Sequence, residues 1–197
     1  MATPVAAQET LTENQQTEYD GHFVSFWTDT EDSVSMTLEE AGSYSVDWQD
    51  TGNFVVGMGW NPGGRRTIEY DATHNPTDNS YLCLYGWTTD PLVEYYIIEN
   101  YGTYRPGDEE HGSHESDGGT YDIATSERIE QPPSRGRRRS RSTGVSARTH
   151  VPAGRSTSAT TSTPGRAPAS SWGVTTTRSW PSKPTAIRRK QCLRLVQ

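Results

Sequence analysis

One carboxylate, that of Glu94, lies in the middle of a run of aromatic and aliphatic residues. The run covers residues 91–106 and reads PLVEYYIIENYGTYRP. Successive side chains of a strand point to opposite sides, so Glu94 shares a face with Tyr96 and Ile98. Burial of a carboxylate there costs free energy, so a buried carboxylate would indicate a functional role. The pattern leaves two interpretations: a solvent-facing strand position, or a working carboxylate in an aromatic cleft.

Aromatic residues with polar atoms are concentrated around this run. All ten Tyr and all three Phe lie at or before Tyr121. On a neighbouring predicted strand, the residues that share one face are Tyr81, Cys83, Tyr85 and Trp87. These side chains could form an ordinary core. So many Tyr and Trp side chains better suit a groove that stacks flat sugar rings, and we favour that interpretation.

The elements that must position these residues are short β-strands. The alternating pattern predicts strands at residues 22–28, 33–38, 43–48, 53–59, 66–72, 80–87, 92–100 and 119–125. Turns rich in Gly, Pro, Asn and Asp separate them. The pattern predicts no helix in this part of the chain. It indicates an all-β fold, an antiparallel β-jelly-roll sandwich.

Charge divides the chain into two parts. Residues 1–130 hold all 25 acidic residues and four Lys/Arg, a net charge of −21. Residues 131–197 hold fourteen Lys/Arg and no acid, a net charge of +14. This second part cannot bury enough apolar surface to offset its ordering entropy. We therefore predict a loose segment over residues 1–18, a domain over 19–132, and a disordered basic tail over 133–197.

The sequence gives no indication of a disulfide framework, a metal site, a membrane span or a signal peptide. The two cysteines, Cys83 and Cys192, form neither a disulfide framework nor a zinc spacing, and no metal or cofactor is implied. No run is long enough to span a membrane. The first residues lack the charged and apolar regions of a signal peptide. We expect a monomer.

Five motifs together resemble the family 11 glycoside hydrolases, which are small jelly-roll endo-β-1,4-xylanases. They are FVSFWTD at 23–29, TGNFVVGMGWNPGGRR at 51–66, YLCLYGW at 81–87, the run at 91–106, and SDGGTYDI at 116–123. The resemblance covers residues 22–132, in order, which makes it specific. It implies retaining hydrolysis of internal linkages in xylan, with xylan or xylo-oligosaccharides as the binding partner. It also implies an extracellular location, although no signal peptide is visible.

The resemblance assigns roles to individual positions. Glu94 corresponds to the catalytic nucleophile. The substrate-binding positions are Trp27, Asn53, Tyr85, Trp87, Tyr96, Arg128 and Pro132. Among these, Trp27 corresponds to a stacking platform, Asn53 to the neighbour of the acid/base residue, and Pro132 to the start of a thumb over the substrate.

The second carboxylate of the mechanism is missing. Retaining glycosidases use two carboxyl groups about 5–5.5 Å apart, one as nucleophile and the other as acid and base. In the family, the acid/base residue lies on a late strand that reads like ATEGY. No acidic residue follows Glu130. The sequence therefore predicts a jelly roll that is incomplete, and an activity that is impaired.

A frameshift explains the missing carboxylate and the basic tail together. In the frame that begins one base earlier, residues 162–173 can encode FDAWASAGIELG, which is similar to the family's helix. Residues 178–185 can encode IVAVEAY, which is similar to the acid/base strand. Residues 143–148 and 134–136 can encode two further family segments, YWSVRT and IEG. We therefore predict a single-base deletion close to Pro132.

Three alternatives stay open. The tail sequence SRGRRRSRS at residues 134–142 could bind nucleic acid through its charge alone. The domain could be a non-catalytic xylan-binding module. The chain could also be an unfolded product of a frameshifted gene, with unpaired strand edges that favour aggregation.

The acidity of residues 1–130 has two interpretations. A net charge of −21 is self-repelling at low salt, and screening by concentrated salt relieves it. This favours adaptation to high salt over an enzyme that is simply acidic.

Overall fold

The structure is a computed structural model. It describes residues 8–63, 66–74, 78–89, 92–105, 107–116, 119–128, 140–147, 157–161, 172–177 and 189–196. Among them, every regular element is a β-strand. The strands of the amino-terminal part are β1 (Glu9–Leu11), β2 (Gln15–Tyr19), β3 (His22–Thr28), β4 (Val34–Glu39), β5 (Ser43–Trp48), β6 (Phe54–Trp60), β7 (Arg66–Thr73), β8 (Tyr81–Thr89), β9 (Leu92–Tyr101), β10 (Glu109–Ser116) and β11 (Gly119–Arg128). Those of the tail are β12 (Ser140–Ala147), β13 (Thr157–Thr161), β14 (Trp172–Thr177) and β15 (Arg189–Val196).

The strands form two sheets. The six-stranded sheet has the order β1-β4-β5-β15-β7-β13, and the nine-stranded sheet has the order β10-β11-β12-β9-β8-β14-β6-β3-β2. The described pairs are antiparallel, apart from the parallel pair of β12 and β9. This architecture confirms the all-β jelly-roll fold class.

Alternation along the strands builds the main core. On β3, the residues of one face are buried and those of the other face are half-buried. The fully buried apolar residues of the main core include Val24, Met36, Leu38, Val46, Phe54, Val56 and Met58. Burial of each such side chain stabilises the fold by about 1.5–3 kcal/mol.

A second, smaller cluster lies on the other face of the nine-stranded sheet. It consists of Tyr81, Cys83, Tyr85, Tyr96 and Ile98. The residues between them on β8, Leu82 and Leu84, belong to the main core. Cys83 is buried and carries a free thiol.

All eight predicted strands are present, with bounds that differ by at most three residues. Three strands of the amino-terminal part were not predicted. β10 has no apolar alternation because it is exposed along nearly all its length. β1 and β2 are short and polar, and they lie in the segment expected to be loose. That expectation differs from the structure because Leu11 is buried and β1 pairs with β4.

The tail supplies four strands, which are described by their backbone. β12 lies between β11 and β9, β14 between β6 and β8, and β15 between β5 and β7. β13 pairs with β7. The rest of residues 133–197 lies outside the described residues. Disorder of this segment stays a prediction from its composition.

Among the described residues, no helix is long and apolar enough to cross a membrane. No group of three or more His, Cys, Asp or Glu side chains in this part of the chain could hold a metal ion.

Candidate active site

Two neighbouring strands, β8 and β9, position the central residues of the site. In their antiparallel register, Tyr85 pairs with Tyr96, and Trp87 pairs with Glu94. Because side chains alternate along a strand, Tyr85, Tyr96 and Glu94 share the face that carries the smaller cluster. The sheet thus brings together three of the residues singled out from the sequence.

The Glu94 carboxylate is buried and held by two tyrosine hydroxyls. Its residue is 5% exposed. Tyr85 Oη donates a hydrogen bond to Glu94 Oε1 at 2.9 Å, and Tyr96 Oη donates one to the same oxygen at 2.6 Å. Hydrogen bonds to an ionised acceptor are shorter and stronger than neutral ones. This pairing offsets part of the cost of burying a charge.

The two tyrosine rings also support each other. Their centroids are 5.0 Å apart, and the planes are tilted by 47°. Tilted aromatic pairs at this spacing are favourable beyond the area that they bury. The ring contact therefore fixes both hydroxyls relative to Glu94.

The other carboxylate oxygen, Glu94 Oε2, accepts no hydrogen bond from the described residues. One oxygen is thus anchored while the second keeps its lone pairs for another partner. A buried carboxylate with one open oxygen has the chemistry required of a nucleophile or of a hydrogen-bond acceptor for a ligand.

Trp27 lies further along the same sheet. It sits on β3 in register with Val55 of β6, and Val55 packs against the smaller cluster. Trp27 is half-buried. The register therefore sets the indole on the cluster's face of the sheet, toward the β2 edge.

Asn53 lies just before β6. Its backbone N–H donates to Asp29 Oδ1 at 2.7 Å. Its side-chain oxygen Oδ1 is buried and accepts no hydrogen bond from the described residues. No described hydrogen bond joins Asn53 to Glu94.

The remaining predicted site residues are described less fully. The backbone of Trp87 pairs with that of Glu94, and the backbone of Arg128 pairs with Ser140 at the end of β11. Their side chains are outside the description. Pro132 lies outside the described residues.

The strands around β9 lack further carboxylates. β6, β8, β12 and β14 contain no Asp or Glu. The second acid of β9, Glu99, accepts hydrogen bonds from Tyr121 Oη at 3.0 and 3.1 Å. On β11, the nearest acid along Glu94's face is Asp122, which forms an ion pair with Arg105 at 3.1 Å.

Sequence reasoning missed several residues that shape this region. The Asn14 side chain makes hydrogen bonds to both backbone groups of Thr28, at 2.7 and 2.9 Å, and so secures the end of β3 beside Trp27. Glu99 was also missed; it lies between Ile98 and Asn100, where the β8–β9 register shifts. A pattern of alternation in one strand does not reveal such a shift.

The fold and the site together define a class, an all-β double sheet with a tyrosine-held carboxylate on one face of the larger sheet. Comparison with protein families narrows this class. The model of glycosyl hydrolases family 11 matches residues 19–162, and the chain belongs to this family. The match extends past residue 132, where the predicted domain ends.

Curated relatives from fungi agree with this assignment. The chain is 47% identical over 133 residues to endo-1,4-beta-xylanase A of Gibberella zeae. The aligned region covers 66% of this chain and 58% of the relative. It is 46% identical over 134 residues to the probable endo-1,4-beta-xylanase B of Aspergillus clavatus, which covers 67% and 61%. It is 47% identical over 133 residues to endo-1,4-beta-xylanase 11B of Humicola insolens, which covers 66% and 46%. The chain thus spans between 46% and 61% of the length of these three relatives.

Proposed function

We propose that this chain acts on β-1,4-linked xylan, with Glu94 as the nucleophile of a retaining glycosidase. The observation that carries the proposal is the buried Glu94 carboxylate, anchored through one oxygen by Tyr85 and Tyr96. Family membership and the names of the relatives support the choice of xylan.

In the proposed reaction, Glu94 Oε2 attacks the anomeric carbon of a xylosyl unit. The bond from that carbon to the leaving oxygen breaks, and a glycosyl ester of Glu94 forms. Tyr85 and Tyr96 keep Oε1 fixed while Oε2 reacts, so the carboxylate need not reorient. Attack by water on the ester then releases the sugar with its configuration retained.

The proposed activity on natural xylan is weak. An alkoxide is a poor leaving group, and general acid catalysis contributes typically about 10²–10⁴-fold. The strands beside β9 provide no carboxylate for this task. Turnover of xylan should therefore fall by about that factor relative to a complete enzyme.

Covalent labelling tests the role of Glu94. The probe is 2,4-dinitrophenyl 2-deoxy-2-fluoro-β-xylobioside. Its dinitrophenolate group leaves without an acid, and the fluorinated sugar forms an ester with the enzyme that hydrolyses slowly. Mass spectrometry should find one xylobiosyl adduct per chain, on the peptide that contains Glu94. The Glu94→Gln variant is the matched control and should remain unlabelled. An adduct on another residue would overturn the assignment.

A second candidate function is non-catalytic binding of xylan. The lack of Asp and Glu on β6, β8, β12 and β14 favours it, because a groove can stack sugars without cleaving them. Affinity electrophoresis in a xylan gel, beside a reducing-sugar assay, separates the two functions. Retarded migration without covalent labelling or release of reducing ends would favour the binding module.

We also propose that the tail results from a single-base deletion and that the enzyme's lineage is extracellular, as a polymeric substrate requires. Sequencing the gene across the codons of residues 128–141 tests the deletion. Third bases that do not spell the family's segments would refute it.

A further inference from the structure

We propose that the outer edge of β10 binds the Arg-rich segment at residues 134–139 of a second copy of this chain, as an added strand. The partner is therefore another molecule of the same protein, and concentrated salt separates the two. This inference depends neither on Glu94 nor on xylan as the substrate, so it can fail while the proposed function stands.

The strand β10 lies at one end of the nine-stranded sheet. Among the described strands, β11 is its neighbour, and none pairs with its other side. An edge strand presents unpaired backbone N–H and C=O groups, which can pair with a further strand. A β-bulge interrupts the register between Glu110 and Gly112, and bulges discourage such pairing locally. From Gly112 to Ser116 the register with β11 is continuous, so this stretch is regular enough to accept a strand.

The β10 edge is also the most acidic of the four described sheet edges. It contains three Glu residues and no Lys or Arg, whereas β1 and β2 contain one Glu each and β13 contains no acid. Glu110 forms an ion pair with Arg105 at 2.8 Å, and Glu109 and Glu115 form none with the described side chains. Exposed carboxylates along an edge reject acidic strands and favour a cationic one.

The chain itself contains a segment of the opposite charge. Residues 134–139 read SRGRRR, with four Arg and no acid. In an extended strand, Arg135, Arg137 and Arg139 would share one side. Opposite charges on facing strands attract each other and help to fix the register. A strand formed by this segment therefore complements the carboxylates of β10.

Chain length favours a second copy as the source of this segment. Arg128, at the end of β11, pairs with Ser140, at the start of β12. The residues between them, 129–139, span at most about 40 Å when extended, so a loop that leaves and returns reaches about 20 Å. The stretch from Gly112 to Ser116 lies opposite residues 123 to 119 of β11, which are about 17 to 31 Å from Arg128 along the strand. The loop of the same chain therefore cannot lie along this stretch.

The charge of the whole chain acts in the same direction. Residues 1–130 have a net charge of −21 and residues 131–197 a net charge of +14, so the unlike parts of two copies attract each other. The Debye length is about 30 Å at 0.01 M salt and about 3 Å at 1 M. Association is therefore strongest at low salt, and the monomer expected from the sequence is the form at high salt.

Analytical ultracentrifugation of the full chain tests this inference, before and after nuclease treatment. At about 0.01 M sodium chloride we expect a weight-average mass of at least about twice that of one chain, because a contact between unlike surfaces can repeat. At about 1 M we expect the mass of one chain. Amide hydrogen exchange at residues 112–116 should be slower in the low-salt form.

Two double variants separate the edge from the surface charge as a whole. Glu109→Gln with Glu115→Gln removes two carboxylates of the edge. Glu13→Gln with Glu31→Gln is the matched control, which removes the same charge at exposed positions outside β10. We expect the first pair to weaken association at low salt by about tenfold, and the control by about twofold or less. Because all four residues are exposed, both variants should melt as the parent does.

Several results would overturn the inference. One is a single-chain mass at about 0.01 M salt, even if residues 112–116 are protected. Another is equal weakening by the two double variants, because the edge would then have no special role. A mass that falls to that of one chain only after nuclease treatment would identify nucleic acid as the partner instead. Replacement of Arg137, Arg138 and Arg139 by Gln should abolish association, and its survival would show that another segment is bound.

Discussion

At the scale of single residues, the site depends on hydroxyl groups placed by register. Tyr85 and Tyr96 reach the same oxygen of Glu94 because β8 and β9 pair these two tyrosines directly. The carboxylate's burial makes each hydrogen bond matter more than it would at the surface. Loss of either donor should therefore be measurable in stability.

Tyr96→Phe should lower the free energy of unfolding by about 1–3 kcal/mol, because a buried carboxylate loses its 2.6 Å donor. Denaturant unfolding measures this difference. Tyr101→Phe is the matched control, since Tyr101 lies on the same strand and its hydroxyl makes no described hydrogen bond. Equal losses in the two variants would show that the bond to Glu94 contributes nothing.

Tyr44, a buried tyrosine outside the site, should affect the stability of the fold at alkaline pH. Burial, with a smaller contribution from Cys83, raises the pKa of Tyr44 well above its ordinary value of 10.0. The folded state disfavours the phenolate, so this contribution is fully present below pH 10.0 and declines as the pH rises above it. Unfolding measured from about pH 8 to about pH 11 should show a falling alkaline limb. The limb should be shallower in Tyr44→Phe, and an unchanged limb would contradict the assignment.

At the scale of elements, the β8–β9 pair tolerates little change. A Cβ added at Gly86 would collide with the hydroxyl and ring of Tyr95 on the facing strand. Gly86→Ala should therefore destabilise the fold by about 1–3 kcal/mol, as overpacking in cores does. The double variant with Tyr95→Leu should recover part of the loss in the same unfolding assay. Full stability of Gly86→Ala alone would show that the strands adjust freely.

Sequence reasoning was most successful for strands with one buried and one exposed face. The prediction for β3 matched His22–Thr28 at both ends, because its burial alternates without interruption. β10 was missed because nearly all its side chains are exposed. For the site, alternation sufficed to place Glu94 and Tyr96 on one face of β9. It could not reveal Asn14, because its contact with Thr28 depends on the pairing of two strands.

Proteolysis can test whether the tail is disordered or forms paired strands. The composition of residues 133–197 predicts that trypsin cleaves them quickly, whereas residues 1–130 offer only three sites, after Arg65, Arg66 and Arg128, because Pro106 follows Arg105. Timed digestion with mass spectrometry should show loss of the tail first. Protection around Arg189 and Lys190 would contradict disorder and support the pairing of β15 with β5.

At the scale of the whole molecule, charge is the main determinant of solution behaviour. The net charge of −21 on residues 1–130 should repel itself at low ionic strength, and the +14 of the tail offsets it only in part. The melting temperature should therefore rise as sodium chloride increases from about 0.1 M to about 1 M, where the Debye length falls to about 3 Å. A melting temperature that stays flat or falls would argue against adaptation to salt.

The open oxygen of Glu94 has a practical consequence. If the carboxylate reacts once and the ester then persists, the protein is a stoichiometric reagent. Each correctly folded chain would release one dinitrophenolate before it stalls. The amplitude of that first release would then be an active-site titration, which counts folded molecules in a preparation even when sustained turnover is too slow to measure.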